Sequence, residues 1–281
     1  MSQSHPRYFH LHLISDSTGE TLTTIAKAAT AQYSKVNAIE HVHPLVRTKR
    51  QLDRVVQEID SAPGIVLYTI VSPELALALE NNCQNLNIPC IPVLAPVMKI
   101  FESYLGAPTT PTVGGQHVLD AEYFGRIDAM NFSMVHDDGQ LPEDLGQADI
   151  ILVGISRTSK TPTSIYLANR GFKTANVPVV PEIPLPEQLE TQSDRAMVVG
   201  LIASAERIAQ IRRNRVLSLA DHDLKDYVDV DKINQEIAHT RRLCARYNWP
   251  IIDVTRRSIE ETAAAIIRLF QDRKAQALGM E

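Results

Sequence analysis

The feature that most limits the fold of this chain is a strand, a loop and a helix that follow one another between residues 150 and 171. Residues 150–153 form a short apolar run, as in strands that are buried on both faces of a sheet. A loop of mostly small residues follows at 154–161. Residues 164–169 suit a helix, and Gly171 stands where a C-terminal cap glycine is expected. This order predicts an α/β fold.

The loop has the residue types of a phosphate-binding site. A loop that leads into a helix directs backbone N–H groups and the positive end of the helix dipole at one point, which favours phosphate. Lys160 would add an ammonium group, and Thr161 a hydroxyl for a magnesium ion. Ser159 replaces the second glycine of the pattern G-x-x-x-x-G-K-[ST]. The alternative is an ordinary turn with a surface lysine. The predicted site comprises Gly154, Ile155, Ser156, Arg157, Thr158, Ser159, Lys160 and Thr161.

Composition narrows the class of protein. The 281 residues are enough for one large or two medium domains, and 44% hydrophobic with 22% charged residues is typical of a globular protein. A net charge of −5 and 5% aromatic residues argue against a nucleic-acid-binding protein. No apolar run has the length of a signal peptide or membrane helix. The three cysteines are unclustered, which predicts reduced thiols in a cytoplasmic protein.

Strand and helix patterns alternate along the whole chain. This alternation predicts parallel, doubly wound sheets. A run rich in Pro, Thr and Gly at 106–116 predicts a loop or linker. A polar connector at 141–148 leads into the strand at 150. We place the domain boundary at that connector. The prediction is an N-terminal α/β domain at 1–146 and a phosphate-loop, kinase-like α/β domain at 147–281.

A second strand–loop–helix unit lies near the N-terminus. A predicted strand at 9–14 ends in a loop that contains Asp16 and Ser17, and a helical pattern follows. The loop hydroxyls and the helix N-terminus could hold a phosphate or a phosphorylated side chain. A plain helix start, with Ser or Thr as N-cap and Glu20 in the first turn, is equally consistent with the residues.

Three further clusters of polar residues have two interpretations each. Asp137 and Asp138, beside His136, are either a solvated turn, which composition alone favours, or an acid/base and metal-positioning cluster. His41 and His43 lie on one strand face, where ordinary histidines are expected rather than a metal site. A helix at 204–216 either supplies arginines to a phosphoryl-transfer site or has an exposed basic face. Its arginines are Arg207, Arg212, Arg213 and Arg215.

Four motifs and one helix carry a family resemblance. The motifs are SDSTGET at 15–21, HDDG at 136–139, GISRTSKTPTS at 154–164 and KTANVP at 173–178, and the helix is the arginine-rich one after Gly200. With these residues the chain resembles the pyruvate, phosphate dikinase regulatory protein family over nearly its whole length. A sister branch regulates phosphoenolpyruvate synthase. Residues 17–20 and 158–159 are more similar to the dikinase branch.

The resemblance implies a bifunctional enzyme. Such an enzyme phosphorylates a threonine of pyruvate, phosphate dikinase with ADP as donor, which inactivates the target. It also removes that phosphate with inorganic phosphate as acceptor, which releases pyrophosphate and reactivates the target. The resemblance implies that the loop at 154–161 binds ADP. A homodimer that contacts the dikinase, and neither nucleic acid nor membrane, is the expected assembly.

The residues fit this chemistry, because phosphoryl transfer depends mostly on positioning and charge neutralisation. Lys160 would hold ADP or pyrophosphate, and Thr161 would hold Mg²⁺. Asp137 or Asp138 would orient the threonine hydroxyl or bind the metal, and Asp16 with Ser17 would line the phosphate or target-peptide side. An ATP-dependent small-molecule kinase and a nucleotide-sensing module without turnover remain open alternatives.

Overall fold

The computed structural model describes residues 7–115, 120–140, 142–191, 196–219 and 226–277. The chain divides into two compact units, Met1–Val118 and Leu119–Glu281. Among the described residues, no helix is both long and apolar enough to span a bilayer.

The first unit alternates strands and helices. Its elements are β1 (Arg7–Ser15), α1 (Glu20–Thr30), β2 (Val36–His43), α2 (Lys49–Ser61), β3 (Gly64–Thr69), α3 (Pro73–Asn85), β4 (Cys90–Pro92) and α4 (Ala95–Leu105). The strands form a parallel sheet in the order β2-β1-β3-β4. The proline-containing strand β4 lies at an edge, as its sequence predicts, because proline cannot donate to a central ladder.

The second unit begins with a helix and then alternates in the same way. Its elements are α5 (Ala121–Val135), a 3₁₀ helix (Pro142–Gln147), β5 (Ile150–Gly154), α6 (Lys160–Asn169), β6 (Thr174–Pro178), α7 (Glu187–Thr191), β7 (Met197–Ile202), α8 (Ala205–Leu219), a 3₁₀ helix (Asp226–Val228), α9 (Val230–Arg246), β8 (Ile251–Asp253) and α10 (Ile259–Ala277). The sheet is parallel, in the order β6-β5-β7-β8.

The two sheets share one strand order, so the prediction of a two-domain, parallel α/β protein is confirmed. In each sheet the first strand lies inside, and the next strands along the chain flank it on opposite sides. The loops after β1 and β5 therefore lie where the strand order reverses, which is the usual ligand crevice of an open α/β sheet. Every residue of β5 is buried, in agreement with its continuous apolar sequence.

Several helices begin where the sequence places a cap. Ser258 accepts a hydrogen bond from Glu261 N at 3.1 Å, and the Glu261 carboxylate accepts one from Ser258 N at 2.9 Å. This pair is a capping box, as the spacing S-x-x-E at 258–261 predicts. Ser72 caps α3, with Pro73 at the first helical position.

The boundary between the units lies at residue 118, and the predicted boundary at 146 differs from it. The reason is α5, which packs on the second unit. Phe132 belongs to a core cluster with β5 and β6, and Ser133 accepts a hydrogen bond from Thr174 N at 3.1 Å. Asp128 pairs with Lys173 at 2.6 Å. The Pro-, Thr- and Gly-rich run at 106–116 thus lies close to the division between the two units.

Candidate active site

The loop after β5 turns sharply because Gly154 has no side chain. A Cβ at this position would lie 2.4 Å from the carbonyl oxygen of Leu201 on β7. The loop can therefore leave β5 only at a glycine, and it then leads directly into the N-terminus of α6.

Two non-glycine residues of the loop adopt left-handed backbone angles. Arg157 has φ 75° and Ser159 has φ 59°. Ser159 is the N-cap of α6 and makes no side-chain cap hydrogen bond. The left-handed region costs a residue with a Cβ roughly 1–2 kcal/mol. The serine at the position of the second glycine therefore adopts the backbone region that glycine prefers.

Lys160 is a buried cation at the first turn of α6. Its side chain donates to the carbonyl oxygen of Ile155 at 3.0 Å, and the residue is 6% exposed. Burial lowers the pKa of Lys160 to about 8, although the charges of Asp138 and Asp137 act in the opposite direction. A desolvated ammonium beside a helix N-terminus favours an anion at this point.

Thr161, Asp137 and Asn176 form one hydrogen-bonded cluster. The Thr161 hydroxyl donates to Asp137 Oδ1 at 3.0 Å, and Asn176 Nδ2 donates to Thr161 Oγ1 at 3.0 Å. Asn176 Nδ2 also donates to Asp137 Oδ1. The cluster joins three parts of the second unit: the turn after α5, the first turn of α6, and β6. Asn176 was not predicted as a site residue, although it lies in the KTANVP motif.

The turn that carries the two aspartates is fixed to β6. Gly139 N donates to Asn176 O at 2.8 Å, and Asn176 N donates to His136 O at 3.0 Å. His136 is buried and stacks on Phe132 with ring centroids 3.8 Å apart. Its Nδ1 lies 2.8 Å from the Phe132 carbonyl oxygen. The buried His136 therefore anchors the aspartate turn to α5 through Phe132 and to β6 through Asn176.

Asp137 and Asp138 differ in their surroundings. Asp137 is partly buried and is bound by Thr161 and Asn176. Asp138 is exposed, has φ 51°, and is the charge that most opposes the lowering of the Lys160 pKa. The geometry therefore gives one carboxylate fixed on the Thr161 hydroxyl and one carboxylate accessible near the lysine.

Arg212, on α8, is a buried side chain that contacts the backbone of the loop at Ser156. It is 1% exposed, and it pairs with Glu236 of α9 at 2.6 Å. Its Nη2 donates to the carbonyl oxygen of Ser156 at 3.3 Å, and its guanidinium lies 4.5 Å from the centroid of the Tyr227 ring. The hydroxyl of Tyr227 lies 3.0 Å from Ser156 Oγ. Sequence reasoning named Arg212 only as one of four arginines and missed Tyr227 and Glu236.

The remaining arginines of α8 behave differently. Arg207, Arg213 and Arg215 are exposed. The helix therefore contributes one buried arginine that contacts the loop and otherwise has a basic, exposed face, and its role in phosphoryl transfer stays a prediction.

Asp16 lies in the first unit, whereas the other predicted site residues lie in the second. It is 4% exposed, and its Oδ2 accepts a hydrogen bond from Val71 N at 2.6 Å. The N-cap of the helix that follows is Gly19, with φ 82° and no side-chain cap hydrogen bond, so the alternative of a Ser or Thr N-cap is wrong. The loop lines a cavity of about 160 Å³ together with Thr69, Thr112, Gly114 and Gly115. The proposed role of Asp16 stays a prediction.

The strand histidines contact one another. His10 Nδ1 lies 2.9 Å from His41 Nε2, and His12 Nδ1 lies 3.3 Å from His43 Nε2. Burial is the main cause that lowers the pKa of His12 and His43. Nowhere in the described part of the chain do three His, Cys, Asp or Glu side chains form a group able to hold a metal ion.

Comparison with known proteins shows the family of this chain. A family model described as "Kinase/pyrophosphorylase" matches residues 11–267. The chain belongs to the kinase/pyrophosphorylase family. The match includes both the aspartate turn and the loop at 154–161, as well as most of the first unit.

Relatives match over nearly their entire length. A protein of Chelativorans sp. is 62% identical over 262 residues, which cover 93% of this chain and 96% of that protein. A protein of Bradyrhizobium diazoefficiens is 59% identical over 268 residues, 95% of this chain and 96% of that protein. A Rhodopseudomonas palustris protein is 59% identical over 273 residues, 97% and 98% of the two chains. All three are provisionally named pyruvate, phosphate dikinase regulatory proteins.

Proposed function

We propose that this protein is an ADP-dependent protein serine/threonine kinase and a phosphate-dependent phosphorylase that acts on pyruvate, phosphate dikinase. The observation that carries the proposal is the cluster of Lys160, Thr161, Asp137 and Asp138 around the start of α6. The family description and the names of the relatives support a regulatory phosphotransferase. The choice of ADP and of a threonine rests on the family resemblance.

In the kinase direction, the target threonine oxygen attacks the β-phosphorus of ADP. The new bond joins that oxygen to phosphorus, the bond between the β-phosphorus and the bridging oxygen breaks, and AMP leaves. Asp138 is accessible and accepts the threonine proton. Lys160 and the loop N–H groups stabilise the charge that develops on the phosphoryl oxygens.

In the phosphorylase direction, an oxygen of inorganic phosphate attacks the phosphothreonine phosphorus and forms pyrophosphate. The bond between phosphorus and the threonine oxygen breaks, and Asp138 passes to that oxygen the proton that inorganic phosphate loses on attack. Both directions place a diphosphate beside Lys160, so one loop serves both reactions. The bond between phosphorus and the threonine oxygen forms in the first reaction and breaks in the second. The same residues stabilise the negative charge on the phosphoryl oxygens in both.

Magnesium fits the oxygen atoms that the site provides. The Thr161 hydroxyl and the Asp137 carboxylate lie 3.0 Å apart, and Mg²⁺ prefers one or two such ligands together with substrate phosphates. The ion would neutralise phosphate charge when bound. Asn176 holds both ligand oxygens in place through its amide.

The proposal also names the protein substrate and the cellular compartment in which the enzyme acts. The protein substrate is the dikinase rather than phosphoenolpyruvate synthase, and the protein acts in the cytoplasm, which suits its free Cys83, Cys90 and Cys244.

The decisive experiment follows labelled phosphate. Purified protein is incubated with dikinase and either β-labelled ADP or γ-labelled ATP, with adenylate kinase activity excluded by an inhibitor and by a protein-free control. We expect label on a dikinase threonine from ADP, and pyrophosphate when phosphorylated dikinase receives inorganic phosphate. The Lys160→Ala variant is the matched negative control.

Each other outcome contradicts a defined part of the proposal. Label only from ATP indicates an ordinary ATP-dependent kinase. Transfer to phosphoenolpyruvate synthase but not to dikinase changes the target. ADP binding without transfer to either protein indicates a nucleotide-sensing module.

A further inference from the structure

Helix α4 of the first unit is apolar and exposed along its whole length. All eleven residues of Ala95–Leu105 are exposed, and none is buried. Among them, Phe101 is 59% and Tyr104 is 88% exposed. In a small globular unit, an apolar helix normally buries one face against the core.

The apolar side chains of this segment form a stripe. Their spacing of three or four residues places them on one side of a helix. The stripe comprises Leu94, Val97, Met98, Phe101, Tyr104 and Leu105, which are 37–88% exposed. An isolated eleven-residue helix is marginal in water, so α4 needs a surface to cover it.

The charges beside the stripe indicate which surface that is. Lys99 and Glu102 flank the stripe on one side and carry opposite charges three residues apart. When two copies of α4 pack antiparallel about a two-fold axis between residues 100 and 101, Lys99 of each copy faces Glu102 of the other. Glu102 Oε1 also accepts from Thr109 N at 3.3 Å, which holds the carboxylate beside the helix. The helix is thus complementary to itself.

The area also fits a second copy. The exposed surface of the stripe together with Ile91 and Ile100 amounts to roughly 800 Å², about what one partner contributes to a standard stable interface. Beside α4 lies a mostly apolar groove of ≈ 680 Å³, whose lining includes Tyr68, Ile70, Pro73 and Met98. The groove offers room for the large side chains of a partner's α4.

We propose that two copies of this chain pair through α4, antiparallel, with the apolar stripe at the centre and two Lys99–Glu102 pairs at the edge. Tyr104 and Phe101 supply the central contacts, since large aromatic side chains dominate interface energetics. The proposal gives the expected homodimer a defined surface in the first unit, and it is independent of the chemistry at Lys160.

The test is the oligomeric state of purified full-length protein by analytical ultracentrifugation over a range of concentrations. We expect a dimer whose Kd rises more than roughly thirtyfold in Tyr104→Glu and in Phe101→Glu. Tyr33→Glu is the control, because Tyr33 is 66% exposed and lies in the first unit outside the stripe. Circular dichroism and thermal melting verify that each variant is folded.

Charge reversal tests the antiparallel pairing itself. Lys99→Glu alone and Glu102→Lys alone each create like-charge pairs, and we expect Kd to rise roughly tenfold in each. An equimolar mixture of these two variants restores both attractive pairs, so native mass spectrometry should detect mainly the mixed dimer.

Three results would overturn the proposal. A wild-type monomer at all concentrations, with α4 variants that lose only stability, would mean that the stripe is covered within the chain. A monomer whose α4 variants no longer act on dikinase would make the dikinase the occupant. A dimer unaffected by every α4 variant would place the interface elsewhere.

Discussion

The Thr161 hydroxyl donates to the Asp137 carboxylate at 3.0 Å, although the two residues are 24 positions apart in the sequence. Asn176 bonds both groups, so three distant segments of the second unit form one fixed set of oxygen atoms. Asp138, the next residue after Asp137, is exposed and close enough to influence the pKa of Lys160. The two adjacent aspartates thus have different surroundings.

Asp138→Asn should lower turnover in both directions by at least roughly 100-fold, because a general base contributes about that much. ADP affinity should remain close to that of the wild type, as measured by calorimetry. Asp137→Asn should instead raise the Mg²⁺ concentration needed for half-maximal activity, since it removes a charged ligand. Full activity in both variants would show that the aspartates form only a solvated turn.

Lys160→Ala should abolish phosphorylation and dephosphorylation together, with a loss of roughly 100-fold or more in each. The reason is that the same ammonium meets charge on the diphosphate in both directions. Initial rates of both reactions are compared with those of Lys35→Ala, which changes an exposed lysine of the first unit. Retention of either activity near the wild-type rate would remove Lys160 from the mechanism.

Lys160→Met should stabilise the free protein at neutral pH. The pKa of Lys160 is about 8 when folded and 10.5 when unfolded, so burying the charged form costs stability below pH 8. The gain is on the order of 2 kcal/mol after the lost hydrogen bond to Ile155 is subtracted.

The stability difference between the Lys160→Met variant and the wild type should shrink as the pH rises. Between pH 8 and 10.5 the unfolded wild-type chain retains a proton that the folded one has lost, so wild-type stability rises relative to the variant. Urea denaturation of both proteins at pH 7 and at higher pH measures the gap. A gap that widens with pH would contradict the buried-ammonium interpretation.

Ser159→Gly should be tolerated, and its free energy of unfolding should be unchanged or raised by up to about 1 kcal/mol. The left-handed angles of Ser159 strain a residue with a Cβ, and glycine relieves that strain but gains freedom in the unfolded chain. Urea denaturation and ADP titration are the measurements, with Ser159→Ala as the control that keeps the Cβ. Loss of nucleotide binding in the glycine variant would mean that the serine hydroxyl is required.

Local patterns predicted most of the fold. The apolar run at 150–153, the small-residue loop and the capping box at Ser258 and Glu261 each correspond to an observed element, because periodicity and capping act over a few residues. Local sequence patterns did not predict the boundary between the two units. Residues 121–135 form a helix, and the unit on which it packs depends on Phe132 and Ser133, which contact residues far along the chain.

The sequence by itself determined the parallel α/β architecture and the strand, loop and helix between residues 150 and 171. Only the tertiary structure decided that Asp137 is fixed on Thr161 by Asn176, that Arg212 supports the loop through Ser156, and that the turn with Asp137 and Asp138 belongs to the same unit as the loop. The physical reason is the separation in sequence between the interacting residues. Helix, strand and cap preferences depend on neighbouring residues, whereas hydrogen bonds between segments and the burial of Lys160 exist only once the sheet has brought those segments together.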